Sequence, residues 1–334
     1  MAEALAEART VRRSTPPNPW VGCVIVDAGG TVVGRGATEP PGGRHAEVVA
    51  LDAAGERSRG ATAYVTLEPC SHHGRTPPCV DRLLAEGISR VVTPLVDPDP
   101  EVSGAGLARL REAGLEVTTG TLADEATELL EPYLHHRRSG RPFVVLKLAA
   151  TLDGRIAAPD GTSRWITGPE ARLDVHQLRA DSDAVLVGAG TVRADDPELT
   201  VRLPPEAEPA GAAVRQPLRV VLGRAPEHAR AQPALEISGD VRGVLDELGR
   251  LGTLQLLVEG GAVVAAEFHS LGLVDRYVVY LAPAFMGGND GVPMFAGEGA
   301  ETMEAVWRGR VTDVRRLGGD IRVDLRPEGV ADCQ

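Results

Sequence analysis

The chain has 334 residues, 43% hydrophobic and 25% charged, which is the composition of a globular protein and excludes disordered, collagenous and disulfide-framework classes. At about 100–200 residues per domain this length predicts two domains, each able to bury a core without a structural metal. The net charge is −12, with fourteen basic against nineteen acidic groups in residues 1–140 and twenty-one against twenty-eight in 141–334, so neither half offers bulk positive charge for nucleic acid.

In chain order, MAEALAEARTVRR lacks the apolar core of a secretory signal and predicts a short amphipathic helix. Trp20–Asp27, Ala61–Leu67 and Arg90–Leu95 read as buried strands, with helices expected at Ala46–Ala54, Val80–Glu86 and Gly106–Ala113. This alternation predicts an α/β layered first domain over residues 1–140. The polar, Gly/Pro-marked stretch Tyr133–Pro142 reads as the linker. A second α/β domain over 141–330 follows, with strands Phe143–Leu148, Ala184–Gly188, Leu218–Leu222, Leu254–Val258 and Tyr277–Leu281. Its helices are expected at Pro169–Ala180, Arg242–Leu248 and Ala262–Leu271, and residues 203–216 read as an exposed loop. No apolar run reaches the ~18–20 residues of a membrane span. The four cysteines, Cys23, Cys70, Cys79 and Cys333, read as thiols or metal ligands in a reducing compartment, so a cytoplasmic location is expected.

The first chemical constellation lies in the first domain. His45-Ala46-Glu47 opens a helix, Glu68-Pro69-Cys70 follows a strand, and Cys79 starts the next helix. One imidazole and two thiolates make three ligands for zinc and leave the fourth tetrahedral position open to water, whose pKa the metal lowers toward neutrality. Helix N-termini favour the thiolate forms. Glu47, two residues after a ligand, is free to carry a proton from the attacking water to a ring nitrogen and then to a leaving amine. The spacing is that of the zinc deaminases of bases, H-x-E…P-C…C, here with eight residues between the cysteines instead of two. Asn18, before the first strand, is either a substrate hydrogen-bonding group or a turn residue between prolines. Cys23 reads as a buried strand residue and Cys333 as a tail residue. His72 and His73 read as loop residues near the substrate.

The second domain has no G-x-G-x-x-G after a strand. Two other glycine clusters follow strands instead: Val187-Gly188-Ala189-Gly190-Thr191, leading to Asp195, and Val258-Glu259-Gly260-Gly261. Such turns let backbone amides approach a phosphate, or serve as tight structural turns. Arg172 and Arg179 share one helix face and, with Arg202, form either an anion site or a solvated face. The chain has 34 arginines but one lysine, Lys147, which sits inside an apolar strand. It is expected to pair with Asp153 or to snorkel to the sheet edge.

TPPNPWVGCVIV, RHAEVVAL, AYVTLEPCSHHGRTPPCVDRL, KLAATLDGRIA, SRWITGPEARLDVHQLRA, GAGTVRADDPELTVR and VEGGAVVA follow one another in an order that resembles the bifunctional riboflavin-biosynthesis deaminase–reductase family over nearly the whole chain. The eight-residue insert between the cysteines belongs to that resemblance. It implies a cytidine-deaminase-like first domain that hydrolyses the ring amine of 2,5-diamino-6-ribosylamino-4(3H)-pyrimidinone 5′-phosphate. It also implies a dihydrofolate-reductase-like second domain that uses NADPH to reduce the ribosyl chain to ribityl. Carried over residue by residue, His45, Cys70 and Cys79 hold zinc and Glu47 is the proton shuttle. Ala149, Trp165, Thr191, Asp195, Gly260 and Gly261 line the NADPH site. Ser163, Arg179, Leu199, Arg202 and Glu259 contact the reductase substrate. The stretch Val221–Leu254 is shorter than the family pattern, which leaves the adenosine end of the cofactor site open, with Arg224 as the candidate reader of the 2′-phosphate. A homodimer through the second domain is the family expectation. The competing reading is a nucleic-acid deaminase with a non-catalytic second module. It is disfavoured by the acidic first half and its three aromatics, Trp20, Tyr64 and Tyr133.

Overall fold

The computed structural model describes residues 1–72, 77–204 and 215–328. His73, Cys333 and most of the loop expected at 203–216 lie outside them. The chain divides into two compact units, Met1–Arg141 and Pro142–Gln334.

The first unit runs α1 (Ala2–Val11), β1 (Gly22–Val26), β2 (Val32–Ala37), α2 (Ala46–Ala54), β3 (Thr62–Val65), α3 (Cys79–Ala85), β4 (Arg90–Thr93), α4 (Ala105–Glu112), β5 (Glu116–Thr119) and α5 (Ala123–Ser139). Its sheet has the order β2-β1-β3-β4-β5, antiparallel through β1 and parallel from β3 to β5. Helices press on both faces at glycines. A Cβ at Gly22 would lie 2.0 Å from the Ala4 carbonyl of α1, and one at Gly34 would lie 2.1 Å from the Ala50 carbonyl of α2. A strand that helices approach this closely tolerates no side chain there. The contact of β2 with α2 is what sets His45 at the margin of the sheet.

The expected linker at Tyr133–Pro142 is corrected by the structure: α5 continues to Ser139. Leu129, Leu130, Tyr133 and Leu134 are buried on one helix face, and the basic residues that made the stretch look like a linker lie in the last turn, where cations suit the helix dipole.

The second unit runs β6 (Phe143–Thr151), β7 (Arg155–Ala157), α6 (Pro169–Ala180), β8 (Ala184–Gly188), α7 (Ala189–Asp195), β9 (Leu218–Leu222), β10 (Leu235–Ile237), α8 (Val241–Arg250), β11 (Gln255–Val258), α9 (Ala262–Ser270), β12 (Arg276–Ala282), β13 (Val292–Pro293), β14 (Gly309–Leu317) and β15 (Asp320–Pro327). Eight strands form one sheet, β10-β9-β8-β11-β6-β12-β15-β14, parallel as far as β12 and antiparallel across the final hairpin. Apolar clusters fill both faces, one around Leu146, Leu256 and Phe268, the other around Val145, Leu257 and Tyr280. The carboxyl ends of β6, β8, β9, β11 and β12 therefore lie along one edge of this sheet, where ligands bind in parallel α/β sheets.

β15 inverts the usual alternation. Asp320, Arg322 and Asp324 point inward and Ile321 outward. Arg322 lies between Asp324 (2.6 and 2.7 Å) and Asp174 of α6 (2.6 Å), and the Tyr280 hydroxyl donates to the same Asp174 oxygen at 2.5 Å. The Gly168 amide, at the start of α6, donates to Asp320 at 2.7 Å. This polar seam fastens α6 to the sheet.

Candidate active sites

The zinc ligands expected from sequence come together. His45 is the N-cap of α2, Cys70 follows β3 and Cys79 is the first residue of α3. His45 Nδ1 lies 3.2 Å from Cys79 Sγ and 3.6 Å from Cys70 Sγ, and the three ligand atoms fall within 4.8 Å of one another. Tetrahedral zinc, with Zn–N of ~2.0–2.1 Å and Zn–S of ~2.3 Å, needs N···S separations of about 3.6 Å, so the donor set fits that ion. Its electrostatics agree. The hydrogen bond from the Cys79 thiol, followed by His45, holds the Cys70 thiol down to about 4, while Cys79 is pushed up by that same pairing and by burial. Two sulfurs competing for one proton are an anionic pocket suited to a cation.

Glu47 is in the first turn of α2, 4% exposed, and burial followed by the Cys70 charge pushes its carboxyl up to about 7. Cys23 is fully buried in β1 beneath it, and its thiol is raised by burial and by Glu47. Asn18 is half-buried, and its backbone N–H closes a turn to Thr15 at 2.9 Å. His72 Nε2 is 3.7 Å from Glu101.

Sequence reasoning missed Glu68. This buried residue accepts four backbone N–H groups: Asp97 at 3.1 Å and Gly104 at 2.9 Å on one oxygen, Gly106 at 2.9 Å and Leu107 at 3.2 Å on the other. It anchors the start of α4 and the loop before it to the strand end that carries Cys70. Asp97 in that loop takes the Tyr133 hydroxyl at 3.0 Å and is pushed up to about 6, mainly by burial. An acidic residue beside a ligand, at the end of an apolar strand, was the available signal.

In the second unit the two glycine turns are neighbours on the carboxyl edge. β8 passes through Gly188 into α7, and β11 passes through Glu259-Gly260-Gly261 into α9. A Cβ at Gly261 would lie 3.3 Å from Thr191 Oγ1, and one at Gly260 would lie 2.6 Å from the Val264 side chain. Gly261 and the Thr191 hydroxyl thus face each other at neighbouring strand-to-helix turns, the kind of place where backbone amides can approach a dinucleotide phosphate. Ser163 donates to Asp195 of α7 at 3.2 Å. Trp165 is 71% exposed, with the Arg172 guanidinium 4.4 Å from its ring centre. Ala149 lies on β6, paired with Tyr280.

Arg179 is held rather than free. Nε and Nη2 grip Glu259 at 2.6 and 2.9 Å, and Nη1 donates to the Thr200 carbonyl at 3.0 Å. His176 Nδ1 lies 3.1 Å from that carbonyl and 3.2 Å from the Arg202 amide. The Arg179 charge holds Glu259 below the usual carboxylate range against the opposing effect of burial. Arg172 does not join Arg179 and Arg202. It stacks on Trp165 and donates to the Thr167 carbonyl at 2.8 Å.

Both expectations for Lys147 are corrected. β6 lies inside the sheet between β11 and β12, so there is no edge to reach. Asp153, past the strand end, instead accepts the Thr151 hydroxyl at 2.5 Å and the amides of Met286 and Gly287 at 3.1 and 2.8 Å. Lys147 sits in the field of Glu259 and Arg179, and desolvation lowers its pKa. Leu199 is buried with φ 56°, and Arg202 pairs with Glu198. Arg224 is exposed on the segment after β9.

Comparison with known proteins finds matches to both units. Residues 1–95 match the cytidine and deoxycytidylate deaminase zinc-binding region, and residues 142–323 match the RibD C-terminal domain. The riboflavin biosynthesis protein RibD of Escherichia coli (strain K12) is 41% identical over 360 residues, which cover 97% of this chain and 98% of that protein. The chain belongs to the RibD family. RibD of Mycobacterium tuberculosis (strain ATCC 25618 / H37Rv) is 42% identical over 335 residues, covering 97% of this chain and 96% of its own. Among solved structures, Acinetobacter baumannii RibD, form 1, superposes with a TM-score of 0.92 at 38% identity, over 98% of this chain and 97% of the other. The Thermotoga maritima diaminohydroxyphosphoribosylaminopyrimidine deaminase/5-amino-6-(5-phosphoribosylamino)uracil reductase gives 0.88 at 35% identity, over the same shares of the two chains. The fold is α/β in both units, cytidine-deaminase-like in the first and dihydrofolate-reductase-like in the second, as in these RibD relatives.

Proposed function

We propose that residues 1–140 remove the ring amine of 2,5-diamino-6-ribosylamino-4(3H)-pyrimidinone 5′-phosphate by hydrolysis, and that residues 141–330 then reduce the ribosyl chain with NADPH to give 5-amino-6-ribitylamino-uracil 5′-phosphate. The chain is a bifunctional deaminase and reductase of riboflavin biosynthesis, with zinc and NADPH as cofactors. The observation that carries the deaminase assignment is the His45/Cys70/Cys79 triad beside a buried carboxyl, Glu47.

Zinc supplies a Lewis acid that lowers the pKa of the attacking water. Glu47, in the first turn of α2 and screened from bulk solvent, would take one proton from the attacking water and hand it to the ring nitrogen, and would then carry a second, from the added hydroxyl, to the departing amine. Asn18 hydrogen-bonds the substrate. NADPH supplies the hydride. Ala149, Trp165, Thr191, Asp195, Gly260 and Gly261 hold the cofactor, the last two through close backbone approach. Ser163, Arg179, Leu199, Arg202 and Glu259 form the substrate side, with Arg179 and Glu259 fixing each other.

The reading includes a small phosphorylated pyrimidine as the partner, no nucleic acid and no membrane, a homodimer or higher homo-oligomer, and the cytoplasm, where Cys70 and Cys79 stay reduced and able to ligate metal. The alternative of a non-catalytic second module is disfavoured by the RibD C-terminal match over 142–323. The test is ammonia release and NADPH oxidation by the purified full chain. Glu47→Gln should abolish ammonia release, keep its zinc, and still oxidise NADPH with the deaminated substrate. Zinc lost together with activity would mean that Glu47 is not the proton carrier.

A further inference from the structure

His176, half-buried on α6, turns one ring nitrogen toward two backbone groups of opposite polarity. Its Nδ1 lies 3.1 Å from the Thr200 carbonyl oxygen and 3.2 Å from the Arg202 amide nitrogen, whose hydrogen points at it. One nitrogen cannot serve both. With a proton it donates to the carbonyl, and without one it accepts the amide. The protonation state of this ring therefore selects which backbone group the helix holds.

The neighbouring contacts show what that choice controls. Leu199 is buried with φ 56°, a backbone conformation that a leucine keeps only where its surroundings fix it. Gln216 holds Val201 on both polar groups, accepting its amide at 2.8 Å and donating to its carbonyl at 3.2 Å. The Thr200 carbonyl already receives Arg179 Nη1 at 3.0 Å, so it does not depend on His176. The Arg202 amide has one hydrogen to place, and it goes to Nδ1. The neutral ring with its proton on Nε2 is thus the form that fastens the whole stretch 199–202. The charges around the ring favour that form. Arg179 faces it from its own helix, Arg202 from the segment after α7, and Glu259 from the end of β11. Burial, then the two guanidiniums, holds its pKa below the ordinary histidine value, against the weaker pull of the Thr200 carbonyl and Glu259.

We propose that His176 is a positioning residue for the reduction: its bare Nδ1 latches the Arg202 amide, and protonation at Nδ1 redirects it to the Thr200 carbonyl and frees the stretch 199–202. The inference rests on the proposed placement of Leu199 and Arg202 at the reductase substrate. His176 acts through that stretch and not on the substrate itself. The latch is closed while the ring is neutral and opens as pH falls through its pKa, so the affinity it supports is present on the alkaline side and lost on the acid side. The deaminase site lies in the other unit and does not share this dependence.

The test uses the full chain with His176→Ala and with His176→Asn, whose side-chain oxygen accepts a hydrogen bond near the place of Nδ1 and does not titrate. Reduction of the deaminated 5′-phosphate is followed at saturating NADPH from about pH 5 to about pH 8, the range in which histidine changes charge. At the alkaline end, loss of one backbone hydrogen bond predicts about a threefold or greater rise in KM for the pyrimidine in His176→Ala. The kcat should stay within about twofold and KM for NADPH should not move. His176→Asn should keep KM near the wild-type value. Toward acid, the KM of wild type divided by that of His176→Asn should climb by about threefold or more, while ionisation of the substrate phosphate, near ~6, is common to both and cancels. His176→Asn as impaired as His176→Ala at the alkaline end would make the ring a packing residue. A KM ratio flat across the range would show that the proton releases nothing, and a change in KM for NADPH alone would give the stretch to the cofactor. Each of these overturns the latch. If the wild-type chain does not reduce the pyrimidine, the reductase reading itself fails. Nitrogen NMR of the histidine-labelled chain then still decides the latch: the neutral His176 ring, identified by its disappearance in His176→Asn, should carry its proton on Nε2, and a proton on Nδ1 would overturn it.

Discussion

Glu68→Ala tests the tie between the loop before α4 and the strand end that carries Cys70. The carboxylate accepts from the amides of Asp97, Gly104, Gly106 and Leu107, three of them at buried positions. Each buried donor left without an acceptor costs about 1–3 kcal/mol, while water can reach the partly buried Gly104. The expected loss is about 3–9 kcal/mol, a large share of the ~5–15 kcal/mol that holds a typical domain. At about 2–4 °C per kcal/mol for a unit of this size, the transition of the first unit should fall by at least ~6 °C. Glu68→Gln keeps the shape and one acceptor oxygen but turns a donor toward two of the amides, so an intermediate loss is expected. Thermal unfolding of the full chain, followed by circular dichroism with zinc content measured beforehand, reads the effect. A Glu68→Ala transition within about 2 °C of wild type would refute the argument, because the four amides would then have found other partners at no cost.

Cys79→Ser should lose zinc and ammonia release yet leave NADPH oxidation on the deaminated substrate at the wild-type rate. Metal analysis beside the two assays checks it, and zinc retained at full stoichiometry would contradict the ligand set. Asp275 is pushed up to about 6, mainly by burial, although it accepts the Val144 amide at 2.7 Å. A carboxyl raised above its unfolded value favours the protonated folded state, so its contribution is present below about pH 4 and is lost as pH rises through about 6. Asp275→Asn should therefore raise the melting temperature near pH 7 and flatten its pH dependence between about 4 and 7, and an unchanged slope in a pH series of melts would reject this. Arg322→Met strips the cation from Asp174 and Asp324. A loss of about 3–5 kcal/mol is expected from denaturant titration, and a loss under about 1 kcal/mol would show that the seam does not fasten α6.

How much of this was legible in the sequence depended on how local the signal is. The bounds of α2 and α6 read correctly because each helix has punctuation, Gly-Gly-Arg-His before one and Gly-Pro at the start of the other. The zinc site read correctly because its ligands sit at helix starts and a strand end in recognisable spacing. α5 went unread and its end passes for a linker because the polarity of Tyr133–Pro142 outweighs its period, although Leu130, Tyr133 and Leu134 share a buried face. The β14–β15 hairpin went unread for a different reason. β14 is exposed along almost its whole length, and β15 buries its charges, so neither shows apolar alternation. Arg322 makes sense inside only once Asp174 and Tyr280 stand beside it, more than forty positions away in sequence. Glu68 and His176 share that property, since their partners are set by folding and not by spacing.

The inverted alternation of β15 also bears on the order in which the second unit can be completed during synthesis. α6 leaves the ribosome early, carrying Asp174 along with His176 and Arg179, while the cation that neutralises Asp174 and the carboxylate that receives the Gly168 amide arrive near the end of the chain. Until β15 docks, Asp174 lacks the cation that faces it, so the fastening of α6, the helix that grips Glu259, is complete only with β15 in place. A chain that stops short of Arg322 would keep the first unit whole and most of the second unit's apolar core, yet leave α6 unfastened, so reduction should suffer while deamination does not.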